Sequence, residues 1–211
     1  MKFSADRVNC FIATNGQEVD WRKADICPCR DQHSGAAKES CGSCGGIGYL
    51  WAEPVRGTVL TSGARYQKKW QDFGVYEEGD IVFTIPSDSP VYQCGSYDRL
   101  KLINQETPFS TFFTRGNNDV LRFSVKSISR IYWLDINDLV VEGGIPTVSE
   151  TGVLSWEYGE PQNGAQYTIT GQKVPEYFYY NDPFQFKSSI QGQLLPKKVV
   201  FRNFDLLSRS E

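Results

Sequence analysis

The chain holds a single histidine, His33. Imidazole acid–base machinery and metal sites built on histidine pairs therefore have almost nothing to work with. Also missing are a Gly-x-x-x-x-Gly-Lys-Ser/Thr phosphate loop, a dinucleotide fingerprint, Gly-x-Ser-x-Gly and His-Glu-x-x-His. Nothing in the residues argues for an enzyme. No run approaches the roughly 18 consecutive apolar residues of a membrane span, and charge precedes any apolar run at Met1-Lys2-Phe3, so no secretory signal is expected. A basic excess is absent too: 22 Lys and Arg face 25 Asp and Glu, a net charge of −3. That excludes a surface built throughout to grip phosphate. Finally, no window of ten or more residues shows a clear 3.6-residue apolar period.

What the chain does have is aromatic side chains, with 13 Phe, 11 Tyr and 5 Trp among 211 residues, and 19 glycines and 10 prolines to turn between them. Aromatic and β-branched residues suit a pleated, half-buried surface. Short runs of them, bounded by Gly, Pro, Asn or Asp, predict strands over 55–61, 64–71, 80–85, 98–104, 119–125, 128–134, 138–141, 152–157, 165–170, 175–180 and 197–204. Upstream, Val8–Ala13, then Asn15-Gly16, then Glu18–Arg22 read as a hairpin. The expected fold is mostly β, a barrel or sandwich with long hairpins. Its parts are an N-terminal hairpin over 1–24, a small inserted lobe over 25–48, and a main β domain over 49–211.

The inserted stretch is poor in large apolar residues and cannot build its own core. It carries Cys27-Pro-Cys29, an eleven-residue loop, then Cys41-Gly-Ser-Cys44-Gly-Gly-Ile-Gly48. In a reducing cytosol clustered cysteines are metal ligands more often than disulfides. Zinc takes four thiolates in a tetrahedron, and two close pairs joined by a loop supply them. The expected ligands are Cys27, Cys29, Cys41 and Cys44, holding a structural zinc. Cys27-x-Cys29 is tighter than the usual spacing, and His33 is the one substitute ligand; four thiolates are preferred because no second histidine accompanies it. Gly42, Gly45, Gly46 and Gly48 let the backbone fold tightly and aim N–H groups at sulfur. Two disulfides crossing between the pairs, and redox chemistry at Cys41 and Cys44, are the rival readings; the glycines after Cys44 leave little room for the helix a redox motif needs.

Elsewhere, Cys10 reads as a buried small hydrophobe and Cys94 as a turn residue. Arg65-Tyr66-Gln67-Lys68-Lys69-Trp70 interleaves bases with aromatics, which suits single-stranded nucleic acid, but also a strand with one solvated cationic face. Asp135, Asp138 and Glu142 read as turn and surface carboxylates. Trp156 and Tyr167 are expected to face one another across a strand pair.

Two resemblances add to this. Cys41–Gly48 resembles one Cys-x-x-Cys-x-Gly-x-Gly unit of the zinc domain of DnaJ-type co-chaperones, without the repeated units or the His-Pro-Asp of that family. More broadly, Trp156…Gly159-Glu-Pro161…Gly164…Tyr167-Thr-Ile-Thr170, the Cys-Pro-Cys knuckle running into Tyr49-Leu-Trp51, and Leu195-Pro-Lys-Lys-Val199 resemble virion structural proteins of tailed bacteriophages, most closely the neck proteins between portal and tail. The resemblance implies a non-enzymatic protein of the virion, made in the host bacterial cytoplasm. It implies self-association into a ring, six- or twelve-fold, touching portal or adaptor and tail tube or terminator. Double-stranded DNA would pass without specific binding, and no membrane is involved. A baseplate or other tail part is the alternative within that class. A zinc-ribbon protein binding single-stranded nucleic acid is the alternative outside it.

Overall fold

The computed structural model describes residues 4–62, 79–117, 119–149, 151–181, 189–190, 192–204 and 207. The strand expected over 64–71, with its basic–aromatic run, lies outside them. The chain forms two compact units, one from residues 1–103 and 176–211, the other from 104–175. The single β body expected over 49–211 is thus divided, with the second unit inserted into the sequence of the first.

The first unit begins with helix α1 (Ala5–Asn15), where a strand was expected. Val8–Ala13 favours strand by composition, but Ala5, Asn9 and Ile12 are buried at helical spacing. A polar residue in the middle of that stripe hides it in the sequence. Asn9 is held by Ser87: its Nδ2 donates to Ser87 Oγ at 3.0 Å, and Ser87 N–H donates to its Oδ1 at 3.2 Å. Asn15-Gly16 is accordingly a helix end rather than a hairpin turn. A Cβ on Gly16 would lie 2.4 Å from the Ile12 carbonyl oxygen, so only glycine fits there. Cys10, expected in the interior, is exposed on this helix.

The strands that follow are β1 (Gln17–Arg22), β2 (Ala24–Ile26), β3 (Tyr49–Trp51), β4 (Val55–Thr61), β5 (Ile81–Ile85) and β6 (Arg99–Leu102). The second unit contributes β7 (Thr107–Thr114), β8 (Val125–Leu134), β9 (Val140–Glu142), β10 (Thr147–Val148), β11 (Leu154–Ser155) and β12 (Gln166–Lys173). The chain then returns with β13 (Glu176–Asn181), β14 (Ser189–Ile190), β15 (Gln193–Leu194) and β16 (Lys197–Asn203).

Strands β1, β4, β5, β16, β13 and β6 close into an antiparallel barrel. Closure leaves none of the six as an edge. Alternation decides which side chains fill it: Val19 and Trp21 point inward from β1, opposite Leu102 and Leu100 of β6. Val59, Phe83, Ile85, Tyr179, Val199 and Phe201 complete the packing, with Val91 and Cys94 from the turn before β6. Two buried carboxylates are ion-paired: Arg202 grips Asp80 through two bonds of 3.1 Å, and Glu176 meets Arg99 and Lys101.

The second unit is a four-stranded antiparallel sheet in the order β7–β12–β8–β9, with the small hairpin β10–β11. Phe109, Leu121, Ile131, Leu154, Tyr167 and Ile169 form its core. Residues 119–125, expected as a strand, instead place Leu121 in this core, with Val120 bridging to Val153. Trp156 and Tyr167 do meet edge to face, ring centres 5.9 Å apart, but not as a hairpin pair. Leu154–Ser155 pairs with β10, whereas Tyr167 lies between β7 and β8. Asp135 is the turn residue expected, accepting from the N–H groups of Asn137 and Leu139. No helix among the described residues is long and apolar enough to cross a membrane.

Candidate metal centre

Strands β2 and β3 pair antiparallel, Ala24 with Trp51, Asp25 with Leu50 and Ile26 with Tyr49. This two-stranded ribbon is the stalk of the cysteine lobe. Its ladder runs on into the lobe, where Cys27 N–H donates to the Gly48 carbonyl at 3.0 Å. Two turns then aim the sulfurs inward. The first carries Cys27 and Cys29, closed by Arg30 N–H to the Cys27 carbonyl. The second carries Cys41 and Cys44, closed by Gly45 N–H to the Cys41 carbonyl and Ile47 N–H to the Cys44 carbonyl. Gly45, Gly46 and Gly48 all have φ between 60° and 86°, the left-handed region in which a Cβ is strained. Gly48 N–H also donates to Cys44 Sγ at 3.3 Å. The role expected of these glycines is the one they play, except that Gly42 is not among those with positive φ.

The four sulfurs lie within 4.8 Å of one another. They interleave across the two turns: Cys27 Sγ is 3.9 Å from Cys41 Sγ, and Cys29 Sγ is 3.5 Å from Cys44 Sγ. A zinc ion bound at about 2.3 Å to each of four sulfurs sets them about 3.8 Å apart. The cluster fits a tetrahedral thiolate ion site, and at 3.9 and 3.5 Å the crossed pairs stand well beyond the about 2.05 Å of a disulfide bond. The tight Cys27-x-Cys29 spacing is accommodated because each of these residues faces a different member of the second pair. His33 is exposed and outside the cluster; its backbone N–H caps Asp31.

Electrostatics favours a cation. The backbone N–H groups of Cys44 and Ser43 point at Cys41 and lower its pKa to about 6. Lys38 N–H likewise favours the Cys29 thiolate, but burial and the surrounding sulfurs of Cys27, Cys44 and Cys41 outweigh it and push that thiol up to about 12. One sulfur is thus poised as an anion, while a neighbour resists ionising beside it. A soft divalent ion removes the conflict, because each thiolate then faces the metal rather than another negative charge. Metal uptake by the apo-protein should therefore release protons, and affinity should fall as pH drops, most steeply below about pH 6 where Cys41 also protonates. Zinc titrations by calorimetry in buffers of different ionisation enthalpy measure that proton count.

The lobe is tied to the barrel by residues that no motif marks. Arg30 lies over the Tyr49 ring and donates to its hydroxyl at 2.7 Å. Tyr49 stacks on Tyr97 at 4.2 Å, and Tyr97 lies parallel to Phe178 at 6.2 Å. Trp51 Nε1 donates to the Tyr97 carbonyl. Beneath them Asp98, 3% exposed, accepts from Trp21 Nε1 at 2.9 Å, Ala24 N–H at 2.7 Å and Gly95 N–H at 2.9 Å. One carboxylate so joins β1, the start of β2 and the turn before β6. The only local signal for this role is Tyr97-Asp98 after a glycine turn, and Tyr97 indeed has φ +68°.

No protein-family model matches the chain, and no curated protein shows significant sequence similarity to it.

Proposed function

We propose that this chain is a structural subunit of a tailed-bacteriophage particle, a neck protein joining portal to tail, in which zinc held by Cys27, Cys29, Cys41 and Cys44 serves architecture rather than chemistry. The carrying observation is the four-sulfur cluster at the tip of a two-stranded ribbon. Four thiolates fill a tetrahedral zinc shell and leave no open position for substrate or activated water, the arrangement of structural rather than catalytic zinc. The closed barrel supports the reading as a rigid mount for the lobe. The neck assignment rests on the sequence resemblance, and ring assembly follows from it, through head-to-tail contacts that close on themselves.

The test is direct. Elemental analysis of the purified protein should find one zinc per chain, and native mass spectrometry or imaging of the assembled material should find a closed ring. A lasting monomer that binds DNA tightly at physiological salt would remove the neck reading in favour of a zinc-ribbon nucleic-acid binder.

A further inference from the structure

Among the described residues, one side of β7 has no neighbouring strand. β7 ends the sheet order β7–β12–β8–β9, and all eight of its residues pair with β12. Among the described residues, the only backbone bond its strand residues make beyond that pairing is local, from Asn117 N–H to the Thr114 carbonyl. Natural edges are blunted by shortness, by lysines, by bulges or by proline. β7 reads Thr-Pro-Phe-Ser-Thr-Phe-Phe-Thr, with no charge, and its register with β12 is unbroken. Its guards are Pro108 at the second position and the turn bond from Asn117 to Thr114 at the far end, which leave Phe109–Phe113 open. Phe112 stands 68% exposed on it. Such an edge is a template for another strand.

We propose that β7 pairs antiparallel with β7 of a second copy across a two-fold axis, joining two four-stranded sheets into one of eight. Three features favour a second copy over an unrelated strand. First, side chains that face each other across a strand pair must point to the same side, so a self-pairing register sums to an even number. With Thr111 on the axis, residues 108–114 of each strand face one another. That register sets Phe109 opposite the partner's Phe113, both on the core face, and Phe112 opposite the partner's Ser110 on the outer face. Cross-strand aromatic pairs are among the favourable ones. Second, the strand carries no charge to repel its copy. Third, its flanks differ in sign: Glu106 precedes it and Arg115 follows it, so antiparallel self-pairing sets each beside its opposite. Each flank also keeps a partner within the chain, Glu106 with Lys126, and Arg115 with Asp119 and Glu160.

A strand pair of this length falls short of the roughly 20–30 residues a side of a stable interface. The dimer is therefore weak on its own, with a Kd on the order of 10–500 μM, and gains force wherever other contacts concentrate the chains. This holds whether or not the chain works in a phage particle.

Sedimentation velocity of the full-length, metal-loaded protein from about 5 μM to about 500 μM should show a concentration-dependent dimer. Hydrogen exchange at the two extremes should show added protection at β7 amides. Phe112→Lys, at an exposed position, should weaken association at least about tenfold. Ser110→Glu mixed with Phe112→Lys should restore it as a heterodimer, because these positions face each other. A strict monomer at the highest concentration overturns the proposal. So does an oligomer whose β7 exchange does not change and which Phe112→Lys leaves intact; that result would keep ring assembly while removing this contact.

Discussion

Replacing Cys44 with serine is expected to strip the metal and unfold residues 27–48 while the barrel stays folded. Between Cys27 and Gly48 the buried residues are Cys27, Cys44 and Gly48 alone, so sulfur and backbone occupy the place of a hydrophobic centre. Apparent zinc affinities in small finger peptides correspond to about 10–16 kcal/mol. A lobe with so little apolar burial has no other contribution of comparable size. Cys44 is also the sulfur that accepts Gly48 N–H, which fixes the start of β3. The variant should contain less than a tenth of the wild-type zinc by elemental analysis. Amides of residues 27–48 should exchange freely, while those of β5 and β16 keep their protection. A metal-free protein whose lobe exchanges as slowly as before would show that the sulfurs are spectators, and the structural zinc reading would go with them.

The second large effect is expected at Asp98. Alanine there leaves three donors, Trp21 Nε1, Ala24 N–H and Gly95 N–H, without their acceptor, the first of them buried and the other two part-buried. Losing an acceptor that serves one buried and two part-buried donors costs about 3–5 kcal/mol, since each stranded donor carries a desolvation penalty of about 1–3 kcal/mol. Asparagine should recover part of this, because it keeps one acceptor oxygen while turning an amide toward the remaining donors. Urea melts followed by tryptophan fluorescence report both the stability and the release of Trp21. A loss under about 1 kcal/mol for alanine would mean that water replaces the carboxylate at little cost.

The strands were legible wherever aromatic and β-branched residues alternate between turn residues. Val55–Thr61 ends where the composition said it would, and the strands at 81–85, 166–173 and 197–203 were found within a few residues. β7 was missed because Pro108 near its start and its serine and threonines read as loop, although Phe109 and Phe113 keep the period of two. The helix was missed because its buried stripe runs through Asn9, whose partner Ser87 lies far along the chain. The division into two units escaped for a related reason: whether β6 pairs with the next strand or with β13 depends on contacts that no local window contains. The four sulfurs were readable because their spacing is itself the signal. The supporting shell of Arg30, Tyr97 and Asp98 was not, since it comes together only when the barrel does.

The insertion of one unit inside the other fixes an order in time as well as in space. Residues 104–175 are contiguous and can pack as soon as they leave the ribosome. The barrel cannot, because β5 waits for β16 and β6 waits for β13, both made only after the inserted unit is complete. Until those last strands arrive, β5 and β6 are bare edges in a nascent chain. A product that stops short of Lys197 would leave Phe83 and Ile85 uncovered and open to any passing strand.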